Sequence, residues 1–192
     1  MEELSKEYIS PKDYIDGERI SSIKHEYNDG EVFALSGAKM NHNIINVNLA
    51  SEISIILKNR KCSIFSNDMR VSVSEKLTYT YPDIVIVCGE LLFEDNQLDT
   101  LKNPAVIIEI LSDSSEHYDR VGKFRLYKNN LHIKEYLLVS QKEPFIESYT
   151  RTDTDTWAYN TYESFNAVLK IDTIQADIPL SEIYDKIDFS KS

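Results

Sequence analysis

The chain has 192 residues, 42% of them hydrophobic and 28% charged, globular proportions that suit one domain spanning 1–192 and are too short for two of ordinary size. Its formal net charge of −11 argues against broad adhesion to nucleic acid, yet it is compatible with a local carboxylate site for a divalent cation. With 5 Gly and 5 Pro, no apolar run near membrane length and an acidic opening stretch, the sequence predicts neither long linkers, nor a membrane helix, nor a secretory signal.

Ser10-Pro11-Lys12-Asp13-Tyr14-Ile15 predicts a short helix, with Ser as cap, Pro at the first position and an acid in the first turn. Ile23 to Asn28 and Glu31 to Leu35 flank Asp29-Gly30, a strong hairpin signal. Asn41 to Asn59 predicts a long helix, capped by Asn41 or Ser36, whose apolar positions Ile45, Leu49, Ile53, Ile56 and Leu57 form one buried face.

Cys62 to Phe65, Met69 to Val73 and Tyr81 to Cys88 are predicted strands, the last with the β-branched run Ile84-Val85-Ile86-Val87. Cys62 and Cys88 lack zinc-site spacing; a disulfide between them is the alternative, and two buried thiols in a reducing cytoplasm are expected. Glu90 to Asn103 reads as a polar connection, and Ala105 to Leu111 as a second fully buried strand. Glu116 to Lys128 predicts a helix with Val121, Phe124, Leu126 and Tyr127 as its apolar positions. After a strand at Ile133 to Ser140, the segments Phe145 to Tyr149, Trp157 to Tyr162 and Ala167 to Ile171 predict an antiparallel meander, and Pro179 to Tyr184 a last short helix. The aromatics Tyr149, Trp157, Tyr159 and Tyr162 are expected to pack on the sheet rather than stack on bases.

Two of the buried strands each carry one acid: Asp83 at the head of one, Glu109 inside the other. A carboxylate amid β-branched residues is costly unless it is paired, hydrogen-bonded or bound to a cation. Two of them on core strands suit a hard cation such as magnesium, which takes one or two carboxylates along with water and phosphate oxygens. The following helix offers Asp119, Arg120, Lys123 and Arg125, and one of these cations can point back at the acids.

Pro-Asp at a strand head, a Glu in the next core strand and a Lys nearby resemble the PD-(D/E)XK nucleases, and within them the Uma-type restriction endonucleases. The segments that carry the resemblance occur in family order. They are His25-Glu26-Tyr27-Asn28-Asp29-Gly30-Glu31-Val32, Asn41-His42-Asn43, Phe65 to Val71, Tyr81-Pro82-Asp83 to Val87, Ile108-Glu109-Ile110-Leu111-Ser112, Asp119-Arg120-Val121-Gly122-Lys123 and Lys134 to Val139. The resemblance implies an α/β restriction-endonuclease-like core, a central mixed β-sheet flanked by helices, with an antiparallel C-terminal extension. It also implies a Mg2+-dependent endonuclease acting on DNA, with Mn2+ as a substitute. Asp83 and Glu109 are then the metal residues, and Lys123 and Glu26 complete the catalytic set. One departure stands out: the superfamily Glu-x-Lys would place Lys at 111, where this chain has Leu111, and Lys123 on the next helix is the matching position.

His42 is open between contacting substrate and capping its helix, and Asp68, Arg70 and Asp119 are candidate supports for the site. A homodimer is expected, because cutting both strands of a duplex takes two sites or one site used twice, and Phe145 to Ile171 is the candidate interface. Two other readings stay open: a non-catalytic nuclease-fold module that binds DNA or a protein, favoured by the net charge, and hydrolysis of RNA.

Overall fold

The run Ile84-Val85-Ile86-Val87 has no polar face, so a strand built from it needs cover on both sides. In the computed structural model, which describes residues 8–74, 77–113 and 115–191, a mixed six-stranded sheet with packing on both faces meets that need. In chain order the strands are β1 (His25–Asn28), β2 (Glu31–Ala34), β3 (Cys62–Ser66), β4 (Arg70–Ser74), β5 (Thr78–Thr80), β6 (Ile84–Cys88) and β7 (Thr100–Leu101). They continue as β8 (Val106–Leu111), β9 (Glu135–Ser140), β10 (Phe145–Arg151), β11 (Trp157–Glu163), β12 (Val168–Ile171) and β13 (Ala176–Pro179). The central sheet has the order β11-β10-β9-β8-β6-β3, with β8 and β9 parallel and the other neighbours antiparallel. A five-stranded sheet, β2-β1-β5-β4-β7, and a β12-β13 pair complete the strand pairing.

Alternation along the strands divides the core. Ile84, Ile86, Ile108, Leu137 and Val139 face helix α2 (Met40–Leu57), through Ile45, Leu49, Ile53 and Leu57, together with C-terminal Leu169, Ile178, Leu180 and Ile183. Val85, Val87, Ile107, Leu111 and Leu138 face the other way, toward Val71, Tyr127, Ile133 and Tyr136. Glu109 falls between Ile107 and Leu111 and so belongs to this second face.

Several predicted elements form as expected. Helix α1 (Pro11–Glu18) starts at Ser10, whose hydroxyl accepts the Asp13 N–H. The β1–β2 hairpin turns through Asp29 and Gly30, both at positive φ (43° and 94°), which the glycine adopts freely. The mixed sheet flanked by helices and the antiparallel C-terminal extension also form.

Other expectations are corrected. Helix α2 starts at Met40 after Lys39, with no side-chain cap; Asn41 lies inside the first turn and donates from Nδ2 to the Asp188 carbonyl. Tyr81 to Cys88 is not one strand: β5 ends at Thr80, and Pro82, which has no N–H for a ladder, separates it from β6 in the other sheet. The polar connection after β6 contains β7, parallel to β4. The helix predicted over Glu116 to Lys128 contains a π-helical turn, Tyr118–Lys123, followed by α3 (Phe124–Tyr127). That wider turn leaves Val121 exposed rather than on the apolar face. The predicted meander loses its third strand, since β12 leaves the central sheet to pair with β13 ahead of α4 (Leu180–Ile183).

Cys62 and Cys88, expected as separate thiols, are register partners on β3 and β6 and form a disulfide. Their 26-residue separation in sequence carries no sign of that pairing. Tyr149 and Trp157 pack against Phe124, whereas Tyr159 meets Tyr149 at a tilt of 47° and stays half exposed. Among the described residues no helix is long and apolar enough to cross a membrane.

Candidate active site

Four acids and one lysine converge at the junction of the two larger sheets. Ile84 pairs with Ile108, so Asp83, one residue before the strand, lies opposite Glu109. Asp83 Oδ2 accepts the Ile110 backbone N–H at 2.7 Å, and Oδ1 lies 3.2 Å from His42 Nε2. Glu26 arrives from β1 in the other sheet, and its Oε1 accepts the Tyr81 N–H at 3.2 Å. Asp119 and Lys123 come from the π-helical turn.

Lys123 stands at the centre. Its ammonium is 3.0 Å from Glu109 Oε1, 3.1 Å from Glu26 Oε1 and 3.2 Å from Asp119 Oδ1, and all four side chains are buried. The Tyr127 hydroxyl donates to Glu109 Oε1 at 2.9 Å and lies 3.1 Å from Thr80 Oγ1, which ties α3 to both sheets. Tyr136 donates to the Asp119 carbonyl at 2.9 Å and fixes the turn from below.

The electrostatics follow from burial and from the excess of acids. Burial pushes the Glu109 carboxyl well above its usual range; Lys123 pulls it back, while Asp119, Asp83 and Glu26 push it further up. Asp119 is raised as well, by burial first, against the pull of Lys123. Burial alone would lower the Lys123 pKa, but Glu109, Glu26 and Asp119 outweigh it, so the net shift is well upward and the ammonium persists at neutral pH.

The acids gather around the lysine and not around a common metal position: among the described residues no three His, Cys, Asp or Glu side chains are placed to hold one ion. The ammonium of Lys123 is the cation between Glu26, Glu109 and Asp119. The donor set still suits a hard cation: it is all oxygen, and four acids face one lysine, so positive charge is favoured there. His42 Nδ1 is buried without a hydrogen-bond partner among the described residues.

The predicted residues therefore separate into two groups. Asp83, Glu109, Lys123, Glu26 and Asp119 come together. Arg70 does not join them; it is buried elsewhere, donating to Thr100 and Tyr81 beside Asp99. Asp68 is exposed and pairs with Lys24, and Arg120 turns away to Glu116 and Glu147. His42 does not cap α2 but faces Asp83. Tyr127 was legible only as an apolar helix position, since periodicity registers its ring and not its hydroxyl.

The pattern of the Uma2 family, described as "Putative restriction endonuclease", matches residues 12–181. This chain belongs to the Uma2 family. The Uma2 chain is 33% identical over 181 residues to an uncharacterized protein of Synechocystis sp., covering 94% of each. A second uncharacterized Synechocystis protein is 30% identical over 162 residues, covering 84% of this chain and 92% of its own. The fold is similar to the crystal structure of a "putative nuclease belonging to DUF820" from Anabaena variabilis, with a TM-score of 0.75 and 17% identity over 95% of this chain and 98% of that one. In this Uma2 chain position 111 is Leu111, buried in the same core cluster as Val85 and Leu138, and Lys123 comes from the π-helical turn.

Proposed function

We propose that the chain is a Mg2+-dependent endonuclease that hydrolyses phosphodiester bonds in DNA. The observation that carries this reading is the buried Lys123 ammonium 3.0 Å from Glu109, on the sheet face where Asp83 lies opposite. Asp83 and Glu109 are the residues that would hold the metal, and Mn2+ would replace Mg2+. Bound there, such an ion supplies Lewis-acid polarisation of a phosphoryl oxygen and a more acidic water.

The protein's own groups do the rest. The Ile110 N–H and His42 hold the Asp83 carboxylate in one orientation. Tyr127, itself fully buried, holds Glu109 through its hydroxyl. Lys123 keeps its charge through its acidic neighbours and is placed to stabilise charge that develops on the phosphate. Glu26 and Asp119 retain that ammonium when Glu109 is engaged elsewhere.

Incubation of purified protein with supercoiled plasmid, single-stranded DNA and RNA tests the reading. Cleavage of DNA that needs Mg2+ or Mn2+ is expected, and an excess of EDTA should abolish it; cleavage that persists in EDTA refutes the metal assignment. RNA cleavage without DNA cleavage would transfer the same chemistry to the other nucleic acid. The net charge of −11 favours a second reading, a non-catalytic module that binds DNA or a protein, and binding without turnover would select it.

The expected cytoplasmic location rested on free thiols, and the Cys62–Cys88 disulfide removes that support. We further propose a homodimer. Support comes from β11, an end strand of the central sheet, which carries half-exposed Tyr159. Light scattering at micromolar concentration should give twice the monomer mass. A monomer would point to single-strand nicking or to a partner protein.

A further inference from the structure

Glu26, Glu109, Asp119 and Lys123 are buried, but one aromatic residue of the same turn reaches both this group and solvent. Tyr118 begins the π-helical turn and is 39% exposed. Its ring centroid is 5.9 Å from the Lys123 ammonium. After burial, the charges that act on its hydroxyl are those of Glu26, Lys123, Asp119 and Glu109.

The ring is held there by an absence. Gly122 follows Tyr118 by four residues, and a Cβ built on it would lie 2.4 Å from Tyr118 Cδ2 and 2.5 Å from Cε2. No other residue at 122 leaves the ring where it is. The φ of Gly122 is not in the positive range, so the glycine is explained by this close approach and not by backbone conformation. A π-helical turn costs helix regularity, and such turns occur often at functional sites; here it carries Tyr118, Asp119 and Lys123 together.

Resting on the phosphodiesterase reading above, we propose that Tyr118 is a substrate-contacting residue whose ring receives a nucleobase beside the scissile phosphate. A chain of net charge −11 gains little from long-range attraction to phosphates. Stacking of a base on an aromatic face does not depend on net charge and tolerates any sequence. A phosphate that approaches Lys123 brings its neighbouring bases to the rim of the site, where Tyr118 is the half-exposed ring of the turn.

The test compares binding of a fluorescent oligothymidylate with that of an abasic oligonucleotide of equal length, which keeps the phosphates and lacks the bases. Fluorescence anisotropy is measured on full-length protein with Ca2+ in place of Mg2+. The wild type should prefer the base-bearing strand by roughly tenfold, within the range of one stacked base. Tyr118→Ala should lose the preference, and Tyr118→Phe should recover most of it. Gly122→Ala displaces the ring without removing any site group and favours helix, so its fold is expected to persist, as circular dichroism can check; it should behave like Tyr118→Ala. Equal preference for the base-bearing strand in wild type, Tyr118→Ala and Gly122→Ala overturns this inference and leaves the nuclease reading intact. A wild type that binds neither strand and cleaves neither DNA nor RNA overturns both.

Discussion

Replacing Lys123 by methionine is expected to lower turnover by about a hundredfold to a thousandfold, the usual cost of deleting one donor that stabilises transition-state charge. The same substitution should weaken the fold. Lys123 is the shared partner of Glu26, Glu109 and Asp119, and methionine leaves three buried acids facing one another. Breaking a buried ion pair by removing one partner costs about 3–5 kcal/mol, because the remaining charge stays uncompensated. The variant offers a control of its own: Mg2+ or Mn2+ should raise its melting temperature more than it raises that of the wild type, since a bound cation replaces the lost ammonium. Thermal melts with and without metal, run beside the cleavage assay, check both parts. Wild-type turnover in Lys123→Met would remove Lys123 from the mechanism.

The second large effect is expected at the acid pair. Asp83→Asn and Glu109→Gln should each lower turnover by at least about a hundredfold, because each removes a charge from the group that would hold the metal. The effect of Glu109→Gln on stability has the opposite sign. Glu109 sits well above its usual carboxyl range because of burial and neighbouring acids. The folded chain therefore keeps a proton there at pH values where the unfolded chain has lost it. Stability falls as pH rises above the ordinary value of 4.5 toward the raised one, and it is fully present only below both. Glutamine removes this penalty and still offers an oxygen to Lys123 and Tyr127. In EDTA, Glu109→Gln should melt higher than wild type at pH 8, and its melting temperature should depend less on pH between 5 and 8. A steeper pH dependence, or a lower melting temperature at pH 8, would contradict the charge crowding inferred for this site.

The acids themselves were the most legible part of the site in the sequence. A charged residue inside Ile107 to Leu111, and another at the head of Ile84 to Val87, contradict their surroundings so strongly that burial with a purpose is the natural reading. Hairpin, cap and long amphipathic helix were equally clear, because each depends on neighbours within a few residues. What stayed hidden depends on pairing between distant segments. Nothing local says that Thr78 to Thr80 belongs to the sheet of β1, or that Cys62 meets Cys88. The π-helical turn was also invisible: ordinary helical spacing puts Asp119 and Lys123 on one face as found, but it assigns Val121 inward, where the wider turn puts it out. Arg70 and Asp68 were candidate supports on a family-like segment, and the structure carries both elsewhere, Arg70 to Thr100 and Asp68 to Lys24.

The parallel pairing of β8 with β9 also bears on when the site comes into being during synthesis. An antiparallel neighbour can follow through a tight turn, but a parallel one requires a crossover, and here the crossover carries Lys123 and Tyr127. Glu26 leaves the ribosome before Asp83, and Asp83 before Glu109. The segment that brings the lysine is not anchored until β9 has paired through Ser140. A nascent chain that stops short of that strand holds its acids without the cation that reconciles them. Assembly of the cluster is thus a late, cooperative event that needs contacts between distant segments, which form more slowly than local ones.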